Sequence, residues 1–247
     1  MHKVISKEQF CSVEGRSIVK CNTLIRDIVY YINENDLECA LINLDWSKAF
    51  DRVDLSFMFK TMSRMGFNEA FIRKVKMLYN GSLSAICING MISHFFPVER
   101  SIRRGCPMSM IAYVLFQEPL YRTLKQNIEP MDFPNGFKCS VLGFADDSSV
   151  FVSKDNSIKE VFKIIEKFEQ ATGAELNHDK TNVMGLGKWK HKDIWPVEWL
   201  QHKDKCTVLG ILVTNDYDEM VNENWDTVIN KIRIRLDMLS TRLLSLY

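Results

Sequence analysis

Two apolar runs, Lys138 to Phe144 and Ser148 to Ser153, close on Ala145-Asp146-Asp147. Their length and composition suit two strands joined by a tight turn. Two adjacent carboxylates held between apolar strands repel each other unless a cation neutralises them or the turn faces water. Asp-Asp is also common in hairpin turns, because Asp tolerates turn geometry, so both readings stand for the pair taken alone. A third carboxylate, Asp45, ends another apolar run, Leu41 to Leu44, which suits a buried strand. At neighbouring strand ends the three would share metal ions. Phosphoryl transfer uses such a cluster, since hard divalent cations take carboxylate oxygens and clamp the attacking and leaving oxygens.

The rest of the chain alternates helices and hairpins. Ile18, Cys21, Ile25, Ile28 and Ile32 fall on one face of a helix from Ser17 to about Asn33. Asp54 is placed to cap a helix to Met65 with Gly66 beyond it, and Asn68 to cap a helix closing near Asn80-Gly81. Asn89-Gly90 between Ser84–Ile88 and Ile92–Val98 predicts a type I′ hairpin. A helix pattern runs from Ser109 to about Lys125, with Pro119 expected to bend it or end it early. Ser157-x-x-Glu160 reads as a capping box opening a helix to Thr172, with Gly173 as stop. Asn182 to Leu186 and Thr207 to Thr214 are strand candidates, and a helical stripe including Trp225, Val228, Ile232, Leu236, Leu239, Leu243 and Leu246 closes the chain. Hairpins with few clean βαβ units favour an α+β fold with an antiparallel sheet.

Composition narrows the class. Hydrophobic residues make up 46% of the 247 and charged residues 26%, enough apolar material for a core. The seven cysteines are odd in number and scattered, without zinc spacing, and read as reduced thiols of an intracellular protein, in nucleus or cytoplasm. Apolar runs are too short for a membrane span, so no membrane partner is expected. A formal net charge of +1 neither demands nor excludes nucleic acid.

Leu44-Asp45-Trp46-Ser47-Lys48-Ala49-Phe50-Asp51-Arg52-Val53 resembles the first palm motif of reverse transcriptases from non-LTR (LINE-type) retrotransposons. Arg103-Arg104-Gly105-Cys106-Pro107-Met108-Ser109 is similar to the second, Phe144-Ala145-Asp146-Asp147 to the third, and Gly173 to Thr181 to the fourth. Leu209-Gly210-Ile211 resembles the start of the primer-grip hairpin, and Gln9-Phe10 with Gly15-Arg16-Ser17 matches the segment these proteins carry before the first motif. The order and rough spacing hold from about residue 5 to the end.

The resemblance implies a palm fold and an RNA-directed DNA polymerase activity that uses an RNA template, a DNA primer and dNTPs. It implies two Mg²⁺ ions, with Mn²⁺ as a substitute, on Asp45, Asp146 and Asp147. Phe50 would face the sugar 2′ position and exclude ribose, with a core aromatic as the plain alternative. Trp46, Arg104 and Gly105 would lie at the incoming nucleotide, although Gly105 equally suits a turn. Lys180 would be catalytic, near the leaving pyrophosphate, donating a proton or offsetting charge, unless it is simply a solvated lysine. Leu209 and Gly210 would approach the primer end, Gly210 being otherwise a bulge residue. Arg100, Arg103 and Arg104 would meet phosphates or form a surface charge run. Arg16 is expected near nucleic acid, with no chemistry that requires it.

The expected organisation is partial fingers and an N-terminal helix over 1–40, a palm over 41–187 with a fingers hairpin inserted at about 82–100, a linker over 188–204, and the primer-grip hairpin with the start of a thumb helix over 205–247. The second motif departs from its family pattern: Arg104 stands where a glutamine is usual, Met110 where a proline is, and Ser101 where a glycine is. The family's Arg-Pro-Ile-type fingers strand, later thumb helices and endonuclease are not in the sequence, so a truncated copy is expected. The alternative is a catalytically inactive remnant that only binds nucleic acid or a partner chain. An RNA-dependent RNA polymerase palm is disfavoured by Phe50 and Ala145. Oligomeric state has no signal.

Overall fold

The computed structural model describes residues 4–103 and 105–240. Its elements in chain order are α1 (Ile18–Glu34), β1 (Glu38–Leu44), α2 (Leu55–Arg64), α3 (Glu69–Tyr79), the two-residue strands β2 (Leu83–Ser84), β3 (Cys87–Ile88), β4 (Met91–Ile92) and β5 (Phe96–Pro97), then α4 (Ser109–Asn127). There follow β6 (Met131–Asp132), β7 (Lys138–Cys139), β8 (Val141–Phe144), β9 (Asp147–Val152), α5 (Asp155–Thr172), β10 (Asn182–Gly187), β11 (Gln201–His202), β12 (Lys205–Val208), β13 (Ile211–Thr214) and α6 (Tyr217–Ser240).

Local chemistry sets many of these boundaries. The Asp54 carboxylate accepts from the Phe57 amide at 2.7 Å to start α2, and Asn68 accepts from the Ala70 amide at 2.7 Å to start α3. Each cap satisfies a backbone donor that has no partner within the helix. Gly173, at φ 69°, closes α5 in the left-handed conformation. Asn89 and Gly90 both take positive φ, the type I′ geometry that turns β3 into β4.

Other boundaries differ from expectation. The helix α5 begins at Asp155, with Lys154 at the cap position and no side-chain cap bond, so the Ser157 capping box lies inside the helix. Pro119 does not end α4, which runs to Asn127. An interior proline costs about 3 kcal/mol or more. Around it Phe116, Leu120, Tyr121 and Leu124 are almost fully buried, and each such burial returns roughly 1.5–3 kcal/mol.

The main sheet has the strand order β11-β10-β1-β9-β8, antiparallel throughout except for the short β10–β11 pair. The central strand β1 is covered on both faces, which is why it reads as an unbroken apolar run. Ala40, Ile42 and Leu44 enter one core, shared with residues of α2, α4 and α5. Cys39 and Leu41 point the other way, into a core with α1 and the β12–β13 hairpin. The fold is therefore α+β, an antiparallel-rich sheet between helices, as expected.

Two further expectations are corrected. Ile18, assigned to the buried face of α1, is 41% exposed at the first turn, and Val29 joins the buried stripe instead. The 188–204 stretch is not a free linker. Trp195 and Leu200 are buried in the first core, and Lys192 Nζ lies 3.9 Å from the centre of the Trp189 ring. The apolar stripe of α6 is exposed apart from Met220, and Leu243 and Leu246 lie outside the described residues. Among the described residues no helix is long and apolar enough to cross a membrane.

Candidate active site

Strand register brings the separated carboxylates to one edge. Leu44 pairs with Ser148 across β1 and β9, and Phe144 pairs with Asp147 across β8 and β9. Asp45 therefore leaves β1 beside Asp147, at the sheet end where the β8–β9 turn holds Asp146. The charges register on one another. Partial desolvation at this edge, then Asp146, then Asp45, raise the Asp147 carboxyl above the ordinary aspartate range, even though the residue keeps access to solvent.

That elevation is what a cation would relieve, and three carboxylates are the hard oxygen donors that Mg²⁺ or Mn²⁺ takes. The donor set fits a divalent ion. Among the described residues, no group of three or more His, Cys, Asp or Glu is gathered so as to hold a metal ion.

The turn carrying Asp146 is unusual. Only two residues, Ala145 and Asp146, separate the paired Phe144 and Asp147. Ala145 stands at φ 55°, and Asp146 does not share the positive φ. This is the sign pattern of a type II′ turn, whose first position normally takes glycine. A positive φ costs a non-glycine residue such as alanine about 1–3 kcal/mol. Two buried amides hold it there. Gln9 Oε1 accepts from the Ala145 amide at 3.1 Å, and Gln9 Nε2 donates to the Ala145 carbonyl at 3.4 Å. The Gln117 amide, oriented by its hydrogen-bond network, donates to the same carbonyl at 2.6 Å and accepts from Trp46 Nε1 at 3.3 Å and Tyr113 Oη at 3.0 Å.

Other segments converge on Asp45. Its amide donates to Thr181 Oγ1 at 3.2 Å, and its carbonyl accepts from the Asn177 amide at 2.8 Å. Trp46 bridges to Leu176, and Arg52 forms an ion pair with Glu175. The fourth motif is thus hooked to the first. Lys180, next to Thr181, has an exposed side chain. Asn43 Nδ2 donates to the Thr207 carbonyl at 3.4 Å, which anchors the β12–β13 hairpin close to the same edge. At its tip Leu209 and Gly210 take φ 50° and 78°, a type I′ turn and not a bulge.

Phe50 stacks on Tyr113 with centroids 4.6 Å apart and an interplanar angle of 27°. Burial, then the charges of Asp146 and Asp147 among others, raise the Tyr113 hydroxyl well above its ordinary value, so that ring sits within electrostatic reach of the carboxylates. Phe50 is half-buried beside it. Trp46, expected at the nucleotide, is turned inward instead. It is 7% exposed and meets Phe168 edge-on, because its large apolar ring fills the core while its N–H finds Gln117.

Gly105 stands at φ 82° and is exposed. Arg104 lies outside the described residues. Arg103 donates to Ser82 Oγ at 2.8 Å, which ties the second motif to the base of the small hairpin. The Arg100 guanidinium lies over Gly173, where a β-carbon would stand 2.3 Å from its Nη1. Arg16 is corrected to an internal brace, since it donates to the carbonyls of Ser6 and Gln9. Gln117, Tyr113 and Thr181 were not singled out from sequence. A lone amide inside the apolar run of α4 was the one available signal.

Comparison with known proteins gives the family and the fold. Residues 1–213 match the family described as reverse transcriptase (RNA-dependent DNA polymerase). The uncharacterized 149 kDa protein of transposon TX1 from Xenopus laevis is 28% identical over 189 residues, 76% of this chain and 14% of that protein. The retrovirus-related Pol polyprotein from type-2 retrotransposable element R2DM of Drosophila melanogaster is 26% identical over 187 residues, 76% of this chain and 16% of that protein. The chain thus spans about a seventh of the length of these relatives. Among solved structures, apo telomerase from Candida tropicalis truncated from its C-terminal domain superposes with a TM-score of 0.58 at 13% identity, over 84% of this chain and 39% of that one. Telomerase from Candida albicans in complex with a TWJ fragment of telomeric RNA gives 0.59 at 13% identity, over 80% and 33%. At that identity the likeness speaks for the fold alone. With two-thirds of its length and more under one family description, and its acidic residues set at one sheet edge, the chain belongs to the reverse transcriptase family, as a domain of the non-LTR retrotransposon kind.

Proposed function

We propose that this chain is the nucleotidyl-transfer core of an RNA-directed DNA polymerase, adding dNTPs to a DNA primer along an RNA template. The observation that carries this reading is the strand register that sets Asp45 beside Asp147 and the Asp146 turn, in a chain of this family. The primer 3′-OH attacks the α-phosphate of the incoming dNTP, and pyrophosphate leaves.

Asp45, Asp146 and Asp147 would hold two Mg²⁺ ions, which when bound supply Lewis-acid stabilisation of the phosphate oxygens. The residues around them position and select. Phe50, braced by Tyr113, presents an aromatic edge that a 2′-hydroxyl would meet. Lys180 brings an exposed cation beside the fourth motif, suited to offsetting charge on the pyrophosphate. Gly105 and Arg104 belong to the nucleotide side, and Leu209-Gly210 bring backbone to the primer end. In this reading 1–40 and the 82–100 hairpin are fingers, the main sheet is palm, and 205–247 are primer grip and the start of the thumb. The telomerase that superposes on this fold was solved with RNA, which accords with a nucleic-acid template here.

A second reading is an inactive remnant that only binds nucleic acid or a partner chain, and Arg104 in place of the usual glutamine of the second motif favours it. Purified chain, a primed RNA template, dNTPs and Mg²⁺ separate the two. Incorporation that is lost in Asp146→Asn supports the polymerase. Incorporation equal in both proteins overturns the site, and none in the wild type favours the remnant.

A further inference from the structure

The two amides on Ala145 do more than relieve one turn. Gln117 joins the carbonyl of Ala145, the residue before Asp146, to the indole of Trp46, the residue after Asp45. It therefore links the two backbone segments that carry the three carboxylates. Gln9 approaches from the N-terminal segment and closes on both the amide and the carbonyl of Ala145, while its Oε1 also accepts from the Cys11 amide at 3.0 Å. Both glutamines are 1% exposed.

The segment bearing Gln9 is itself fixed to the sheet. The Phe10 amide donates to the Gly143 carbonyl at 2.8 Å and the Gly143 amide to the Glu8 carbonyl at 3.0 Å, extending the β8 edge. Arg16 donates to the Gln9 carbonyl. A buried side-chain amide offers a donor and an acceptor in one plane, and an unmet amide in such a place is costly. Here those groups are spent on a single strained alanine and its neighbour across the site. Apolar residues of similar volume would fill the same space without holding the turn.

We propose that Gln9 and Gln117 are positioning residues of the carboxylate site, setting the separation of Asp45 from Asp146 and Asp147 by clamping Ala145 at positive φ and tying it to Trp46. This rests on the reading of those carboxylates as a divalent-cation site. Neither glutamine touches the ion. Each acts on the backbone that aims the ligands, in the way outer hydrogen-bond partners orient metal ligands elsewhere.

The test is Mn²⁺ binding to the full chain, followed by electron paramagnetic resonance without nucleotide or template, for wild type, Asp146→Asn, Gln9→Met and Gln117→Met. Folding is checked by circular dichroism, and binding is measured well below each melting midpoint. The expected result is wild-type binding that Asp146→Asn weakens, with affinity reduced about tenfold or more in each folded methionine variant. Wild-type affinity in both methionine variants, with Asp146→Asn still impaired, overturns the positioning role alone. Wild-type binding indifferent to Asp146→Asn overturns the cation-site reading, and the inference with it. Should neither methionine variant fold, amide exchange in the metal-free wild type decides the matter. Protection of the Ala145 amide comparable to β9 supports the clamp, and exchange at the rate of an open turn overturns it.

Discussion

Gly143 lies directly under Tyr121. A β-carbon at residue 143 would stand 1.7 Å from the Tyr121 hydroxyl oxygen and 2.7 Å from its ring carbon. That hydroxyl is also bonded to Ser148 Oγ at 2.8 Å, across the hairpin that carries the acidic turn. Gly143→Ala is predicted to cost about 1–3 kcal/mol by overpacking, read as a lower midpoint in urea. Adding Tyr121→Phe removes the closest atom, so the double variant should be more stable than Gly143→Ala alone. A single variant that unfolds with the wild type would contradict this contact.

The raised Asp147 carboxyl has a definite sign. The folded chain keeps that proton at pH values where the unfolded chain has released it. Its contribution to metal-free stability is therefore most favourable below the ordinary aspartate pKa and is lost as pH rises through the folded value. Asp147→Asn should raise the thermal midpoint in chelator at neutral pH and flatten the pH dependence just above the usual carboxylate range. Mg²⁺ should stabilise the wild type and leave the variant nearly unchanged.

Phe50 is held by its stack on Tyr113, so its edge is fixed rather than free. Phe50→Val is expected to lower the preference for dNTP over rNTP by about tenfold, equivalent to about 1.4 kcal/mol of discrimination. Single-nucleotide incorporation with matched dNTP and rNTP measures it. Unchanged discrimination would return Phe50 to a packing role.

Glu118 is 1% exposed and accepts from the Ser6 amide at 3.0 and 3.1 Å, from Ser6 Oγ at 2.6 Å and from Arg122 Nε at 2.8 Å. It anchors the segment that delivers Gln9. Glu118→Ala should cost about 3 kcal/mol, as hydrogen bonds to a buried charge are lost. Proteolysis of the variant should begin before residue 17, and cleavage elsewhere first would argue against the anchor.

Much of the fold was legible because its signals are local. Asp54, Asn68 and Gly173 act within a turn of the helix they bound, and Asn89-Gly90 defines its own hairpin, whereas 207–214, read from its residues as one strand, turns back at Leu209-Gly210. What failed locally was overridden from a distance. Pro119 sits in a helix whose surroundings are buried, and the tryptophans of the 188–204 stretch find the core through contacts that spacing does not encode. Asp45, Asp146 and Asp147 stood out by their apolar flanks, yet only the pairing of Leu44 with Ser148 sets them at one edge. Gln9 and Ala145 are 136 positions apart. An amide has no periodicity that would join them.

In the proposed function, residue 45 and the 146–147 turn serve one cation site. Crystals of the chain soaked in Mn²⁺ and measured for anomalous scattering test it directly. The expected result is a peak with carboxylate oxygens of Asp45 and of Asp146 or Asp147 together at about 2.0–2.2 Å, distances normal for a small hard cation. A well-ordered edge with no peak, or a peak bound by the turn while Asp45 points elsewhere, would contradict it.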